Sequence, residues 1–166
     1  MMMKEKSNIG IRPPLTGEDR QWLRDLWVSE WGGETMVTRG KTHHVGDLEA
    51  FIAWDNETRV GAATYHPGTE EWELLSLNAT VGGSGIGTML LTAFEQAARQ
   101  AGVRRVWLIT SNDNLDALRF YQRRGYRIVA VHPGAIDEAR KRKPAIPLVG
   151  SYNIPIHDEL ELEKKL

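Results

Sequence analysis

The chain has 166 residues, a length that suits one domain with one hydrophobic core and leaves little room for a second. Its formal net charge of −1 gives no global pull toward nucleic acid or an anionic membrane, so a charged partner has to be recognised locally. Cysteine is absent, which excludes disulfides, thiolate metal sites and a cysteine nucleophile and fits a cytoplasmic setting. No apolar run approaches the length needed to cross a bilayer.

Residues 1–8 carry no apolar stretch of the signal-peptide kind and read as a frayed tail. Ile9 to Pro13 reads as a short strand stopped by Pro13-Pro14. Thr16-Gly-Glu-Asp19 has the form of a capping box, with Thr16 as N-cap and an acid three residues on. Trp22, Leu23, Leu26, Trp27 and Trp31 then make an apolar helical stripe, which Gly32-Gly33 ends. Residues 34–46 are polar and read as a short irregular helix and a loop.

Three strands in a meander follow, over 48–54, 59–66 and 72–79, separated by Asp55-Asn-Glu-Thr58 and Pro67-Gly68. The third runs straight into Val81-Gly-Gly-Ser-Gly-Ile-Gly-Thr88. From Ile86 the period changes: Met89, Leu90, Ala93, Phe94, Ala97 and Ala101 fall on one helical face, and Gly102 sits at the C-cap. Val103 to Ile109 reads as a strand covered on both faces, 114–124 as a second helix ending at Gly125, and 126–131 as another strand. A short basic helix over 133–143 and a last strand from Asp158 to Leu162 complete the order. No linker has the look of a domain boundary. The expected fold is α/β with a mixed sheet, in one domain over 1–166.

A strand entering a helix through Gly82-Gly-Ser-Gly-Ile-Gly87 leaves the first N–H groups of the helix pointing outward, where glycine lets a phosphate approach closely. A diphosphate is the natural guest, although a tight turn needing glycine only for its dihedrals would look the same. The nucleotide P-loop is excluded because Gly87, not lysine, precedes Thr88. The dinucleotide fingerprint fails because Thr88 stands where its third glycine belongs.

The segment resembles the acetyl-CoA loop of the GNAT N-acetyltransferases, whose pattern is Arg/Gln-x-x-Gly-x-Gly/Ala; Gly85 and Gly87 fill the glycine places. Downstream, Asn114-Leu-Asp-Ala117 and Phe120-Tyr121-Gln-Arg-Arg-Gly125-Tyr126 resemble that family's Asn-x-x-Ala and Phe-Tyr-x-x-x-Gly-Phe blocks. The motifs cover roughly 73–131. One departure stands out: Gly82 occupies the place of the usual Arg or Gln.

The resemblance implies a central mixed twisted sheet flanked by helices, acetyl-CoA as co-substrate, and direct transfer of its acetyl group to a primary amine of a small molecule or protein. It implies that Leu77, Asn78 and Ala79 hold the acetyl group and pantetheine by their backbone, and that Val81 and Gly83, Ser84, Gly85, Ile86, Gly87 and Thr88 face the pyrophosphate beside Gly82. Asn114 and Ala117 would meet the pantetheine, Asn114 doubling as a helix cap. Tyr121 would face the coenzyme sulfur and assist the leaving thiolate. Glu73 is the candidate general base, and Glu73, Trp31 and Glu34 the candidate acceptor contacts. An exposed strand residue is the plain alternative for Glu73, and core packing for Tyr121 and Trp31.

No metal is expected, since adjacent His43-His44 cannot share a face and no acid stands at ligand spacing; both read as loop histidines, with an acceptor-pocket role open to one of them. Arg140-Lys-Arg-Lys143 reads as a solvated helix end rather than a nucleic-acid footprint, with an alternative role, shared with Arg119 and Arg123, at the ribose phosphate. Neither nucleic acid nor membrane is expected as a partner, and a homodimer is left open. Gly82 keeps a second reading alive, a non-catalytic acyl-CoA-binding or sensing domain; a structural module without coenzyme is the third.

Overall fold

The computed structural model describes residues 8–80, 82 and 84–166. In chain order the strands are β1 (Ile9–Arg12), β2 (Thr35–Thr38), β3 (Lys41–His44), β4 (Glu49–Asp55), β5 (Thr58–Pro67), β6 (Glu71–Ala79), β7 (Arg105–Ser111), β8 (Arg127–His132) and β9 (Glu159–Lys165). The helices are α1 (Gly17–Trp31), α2 (Ile86–Gln100), α3 (Leu115–Gln122) and α4 (Ala135–Arg142). Residues 1–7, most of the expected tail, lie outside the described residues.

Seven strands form one mixed sheet in the order β1-β4-β5-β6-β7-β9-β8. The meander β4–β5–β6 is antiparallel, as its turns require; α2 then crosses over and makes β6 and β7 parallel. The last strand does not extend the edge. It inserts between β7 and β8, antiparallel to both.

The two faces of the sheet bury separate clusters. Leu90, Phe94 and Ala98 of α2 pack on Tyr65, Trp72, Val106 and Leu162, and Tyr121 of α3 joins them. On the opposite face Leu23 and Trp27 of α1 pack on Ile52, Ala62 and Leu75. β7 is buried along Val106, Leu108 and Thr110 and only partly covered along Arg105, Trp107 and Ile109, so it is a half-covered strand rather than one enclosed on both faces.

Helix α1 starts where its capping box falls: Thr16 accepts from the N–H of Asp19 at 3.1 Å, and Asp19 accepts from the N–H of Thr16 at 3.2 Å. Asp19 also accepts from Leu15 N–H and from the Arg59 guanidinium at 2.9 Å. Burial opposes its ionisation, but these donors outweigh that and hold its pKa below the usual value. Asp19→Ala should therefore cost about 2–4 kcal/mol in chemical denaturation at pH 7. A depressed folded pKa gives stability that is present at neutral pH and lost as pH falls through it, so this deficit should shrink toward pH 2.

The irregular helix expected over 34–46 is instead the hairpin β2–β3, with Arg39 and Gly40 at its turn, both at positive φ. Its polar sequence hides the period-2 signal because it forms its own two-stranded sheet, in which Val37 and Thr38 are buried beside exposed Arg39 and Gly40. The histidines expected in a loop are on β3: His43 is buried and His44 exposed.

Candidate active site

The parallel pairing of β6 with β7 runs from Glu71↔Arg105 to Leu74↔Leu108 and stops there. Beyond it, Leu77, Asn78 and Ala79 pair only with β5, so their other backbone edge faces an opening between diverging strands. The side-chain oxygen of Asn78 is buried without a hydrogen-bond partner among the described residues, which leaves an acceptor available for a guest N–H.

The same strand leads to the N-terminus of α2. Gly85, at φ 77° in the left-handed region, is the N-cap and brings no side chain to cap the helix, and no acid occupies its first turn. A Cβ added to Gly82 or Gly85 would meet nothing within 4 Å. The glycines thus front open space rather than packed neighbours, at the positive end of a 15-residue helix, an arrangement that fits a diphosphate. Ile86 anchors the turn in the core. Val81 and Gly83 lie outside the described residues; Gly82 and Ser84 are exposed.

The turn after α3 supplies a cation that the loop lacks. Arg124 lies 3.7 Å over the Phe120 ring and donates to the hydroxyl of Thr88 at 2.8 and 3.0 Å. Sequence reading offered Arg119 and Arg123, or the basic run at 140–143, only as an alternative source of cations for the ribose phosphate; the one-turn spacing from Phe120 to Arg124 was the signal that could have found Arg124. Asn114 caps α3 through the N–H of Ala117 at 3.2 Å, and Ala117 packs on the core. Tyr121 is buried between Phe120 and Tyr126 in edge-on contacts. Burial raises its pKa, so its phenol stays protonated at neutral pH.

Glu73 is not the exposed strand residue its acidic neighbourhood suggested. It is 5% exposed, accepts from the Thr38 hydroxyl at 2.7 Å and lies 3.5 Å from Nε2 of His43. Burial pushes its pKa up to about 7; Thr38 and Lys41 oppose the shift, and the charges of Glu159 and Glu161 add to it. Burial, with help from Lys41 and His66, holds His43 down at about 4, so it offers Glu73 no counter-charge at neutral pH. The carboxyl group is poised to take or hold a proton in the physiological range.

A cavity of about 490 Å³ lies beside this cluster, lined by Trp31, Leu75, Ile109 and Asn114 among others. Trp31, one of the candidate acceptor contacts, thus lines this cavity. The Glu34 side chain does not: it pairs with Arg24 at 3.8 Å and is absent from the lining. Thr38 lines both this cavity and a second cleft of about 570 Å³ that Glu73 lines.

Of the basic run only Lys141 is a plainly solvated residue, paired with Glu138 at the surface; the others are tied down. Arg140 donates to the carbonyls of Ile146, Pro147 and Ile156, Arg142 to Gly40 O, and Lys143 to Thr35 O at 2.6 Å. Together they fasten α4 and the segment after it over the cavity. Glu159, a buried carboxylate on β9 that also lines the cavity, was missed; acid–leucine alternation marked its strand but not the strand beside which it would lie.

A glycine-fronted helix N-terminus beside a parallel strand pair that diverges is the architecture of a CoA-dependent transferase. Residues 20–126 match the model of the Acetyltransferase (GNAT) family, and the chain belongs to that family. It is 40% identical over 142 residues to the uncharacterized protein YxbD of Bacillus subtilis (strain 168), covering 85% of this chain and 89% of that one. The fold is similar to that of a GNAT family acetyltransferase from Elizabethkingia anophelis with acetyl-CoA bound, at TM-score 0.72, 20% identity and coverage of 97% and 100%. It is also similar to Arabidopsis thaliana Naa50 in complex with the bisubstrate analogue CoA-Ac-MVNAL, at TM-score 0.70, 16% identity and coverage of 95% and 99%. Among the described residues no group of side chains could hold a metal ion, and no helix is long and apolar enough to cross a membrane.

Proposed function

We infer that the protein is an acetyl-CoA-dependent N-acetyltransferase that passes the acetyl group directly to a primary amine, in a cytoplasmic setting. The observation that carries this is the divergence of β6 from β7 after Leu74, between the glycine-fronted N-terminus of α2 and the buried carboxylate of Glu73. Acetyl-CoA supplies the activated acetyl group as a thioester. The α2 N-terminus, with Arg124 beside it, holds the diphosphate, and the free edge of Leu77–Ala79 aligns the pantetheine and acetyl group.

Glu73 takes a proton from the arriving ammonium, since only the neutral amine has a lone pair to form the new C–N bond. As that bond forms and the C–S bond breaks, the surplus proton of the nitrogen passes to the departing sulfur, which leaves as the coenzyme thiol, and Glu73 returns its own proton to solvent. Tyr121 donates a hydrogen bond to the sulfur. Full proton transfer from a phenol whose pKa is raised above 10 to a thiolate of pKa about 8.5 is uphill, so its help is moderate. Without cysteine and with no serine in a nucleophile elbow, transfer in a ternary complex needs the fewest steps.

Thermal unfolding with acetyl-CoA and thiol release with an amine panel test this together. Coenzyme at about 100 times its dissociation constant should add roughly 2.7 kcal/mol of stability. Arg124→Ala should weaken coenzyme binding about tenfold without lowering the melting temperature of the free protein by more than a few degrees. Stabilisation without thiol release for any amine would favour a binding or sensing domain. No stabilisation at millimolar coenzyme would end both readings.

A further inference from the structure

We propose that the cavity of about 490 Å³ is the acceptor site for a compact, apolar primary amine, whose ammonium group is received by Glu159. This rests on the acetyl-transfer reading and names its substrate class.

The charge is the first observation. Glu159 is 2% exposed, and among the described residues its hydrogen bonds come from one backbone N–H, that of Arg39, shared between its oxygens at 3.2 and 3.4 Å. The Arg39 guanidinium stops at 4.0 Å, on a side chain that is 43% exposed. A buried carboxylate has room for about four donors and is costly when under-partnered, so a guest cation offsets a penalty the fold already carries. The other charged residues of the lining are otherwise engaged. Asp113 accepts from the Ser111 hydroxyl and from Ser151 N–H at 2.9 Å, Lys143 is held by Thr35 O, and Glu30 is exposed.

The walls are the second observation. Met36, Val37, Ile109, Ile136 and Ile156 surround the space, so the body of the amine should be apolar and should carry no carboxylate to face Glu159 and Asp113.

The ties across the top are the third. Lys143 and Arg142 tie the end of α4 to the β2–β3 hairpin, Ala145 lies against the α1 cap at Gly32, and Asp113 holds the chain at Ser151. The roof therefore laps onto both walls. These ties narrow the mouth without closing it, and a volume of about 490 Å³ matches a small amine. Thr38 lines the cavity and donates its hydroxyl to Glu73 at 2.7 Å, so the proton-accepting carboxylate adjoins the cavity through that side chain.

Steady-state thiol release from acetyl-CoA with 2-phenylethylamine, phenylalanine and a hexapeptide amino terminus tests the assignment, using wild type, Glu159→Gln and Ala139→Phe. Wild type should prefer phenylethylamine over phenylalanine by roughly 100-fold in kcat/KM, and over the hexapeptide by a similar factor. Glu159→Gln should raise the KM for phenylethylamine roughly tenfold or more, with the thermal shift from acetyl-CoA unchanged. Ala139→Phe, which fills the cavity without altering its charge, should raise that KM too and keeps the test alive if the glutamine variant fails to fold. An unchanged KM in either folded variant, or preference for phenylalanine or the peptide, overturns the acceptor assignment and leaves acetyl transfer standing. Silence toward every amine, with the coenzyme shift intact, overturns both.

Discussion

Glu73→Gln should lower kcat/KM roughly 10²–10⁴-fold, the range expected for loss of a general base, while the stabilisation by acetyl-CoA stays as in wild type. The carboxylate lies behind Thr38, away from the α2 N-terminus, so its removal leaves the diphosphate cradle untouched. Wild-type kcat/KM should rise with pH through about 7, the value to which burial first of all pushes Glu73, and this limb should vanish in the variant. Stability should move the other way. A carboxyl whose folded pKa is raised from 4.5 to about 7 binds its proton more tightly when folded. Its contribution is complete below pH 4.5 and lost as pH climbs to 7. At pH 8 the glutamine variant should therefore be more stable than wild type, by on the order of 2–3 kcal/mol. A less active, more stable variant separates catalysis from folding. A loss under tenfold with the pH limb preserved would remove Glu73 from the mechanism.

Trp27→Ala should destabilise the protein by about 3–5 kcal/mol, the usual cost of emptying a fully buried aromatic site. Trp27 is 0% exposed at the centre of the α1 face, and its indole N–H donates to the Ser76 hydroxyl at 3.2 Å, which is paired in turn with Thr64. Truncation leaves a cavity and removes a donor from a buried hydroxyl pair, and the two costs add. Because Ser76 belongs to β6, between Glu73 and the coenzyme edge at Leu77–Ala79, activity should fall more than the unfolded fraction explains. Guanidinium denaturation, with turnover measured well below the midpoint, gives both quantities. A cost below about 1 kcal/mol would mean that α1 is not anchored through this residue.

Most of the regular elements were legible because each carries its own local signal. The Thr16–Asp19 capping box, the glycine at 32, the meander turns and the helical face beginning at Ile86 depend on neighbours a few residues away. The β2–β3 hairpin was not legible, since it is polar and forms a sheet of its own. At the site, the backbone loop could be read from its glycines, whereas side-chain partners could not. Thr38 and Glu73 are 35 residues apart, Arg39 and Glu159 120 apart, and no periodicity spans such distances.

The amino-acid sequence by itself determined the order of the strands and helices outside the β2–β3 hairpin, the glycine-fronted start of α2 and the family, because these rest on local dihedral preference and short-range pattern. Tertiary structure alone decided that β9 enters between β7 and β8, that Arg124 meets Thr88, and that Glu73 and Glu159 are buried on adjoining sides of Thr38. Those outcomes depend on which distant segments exclude water from one another. A carboxylate's charge and proton affinity are set by that exclusion and not by its neighbours in the chain.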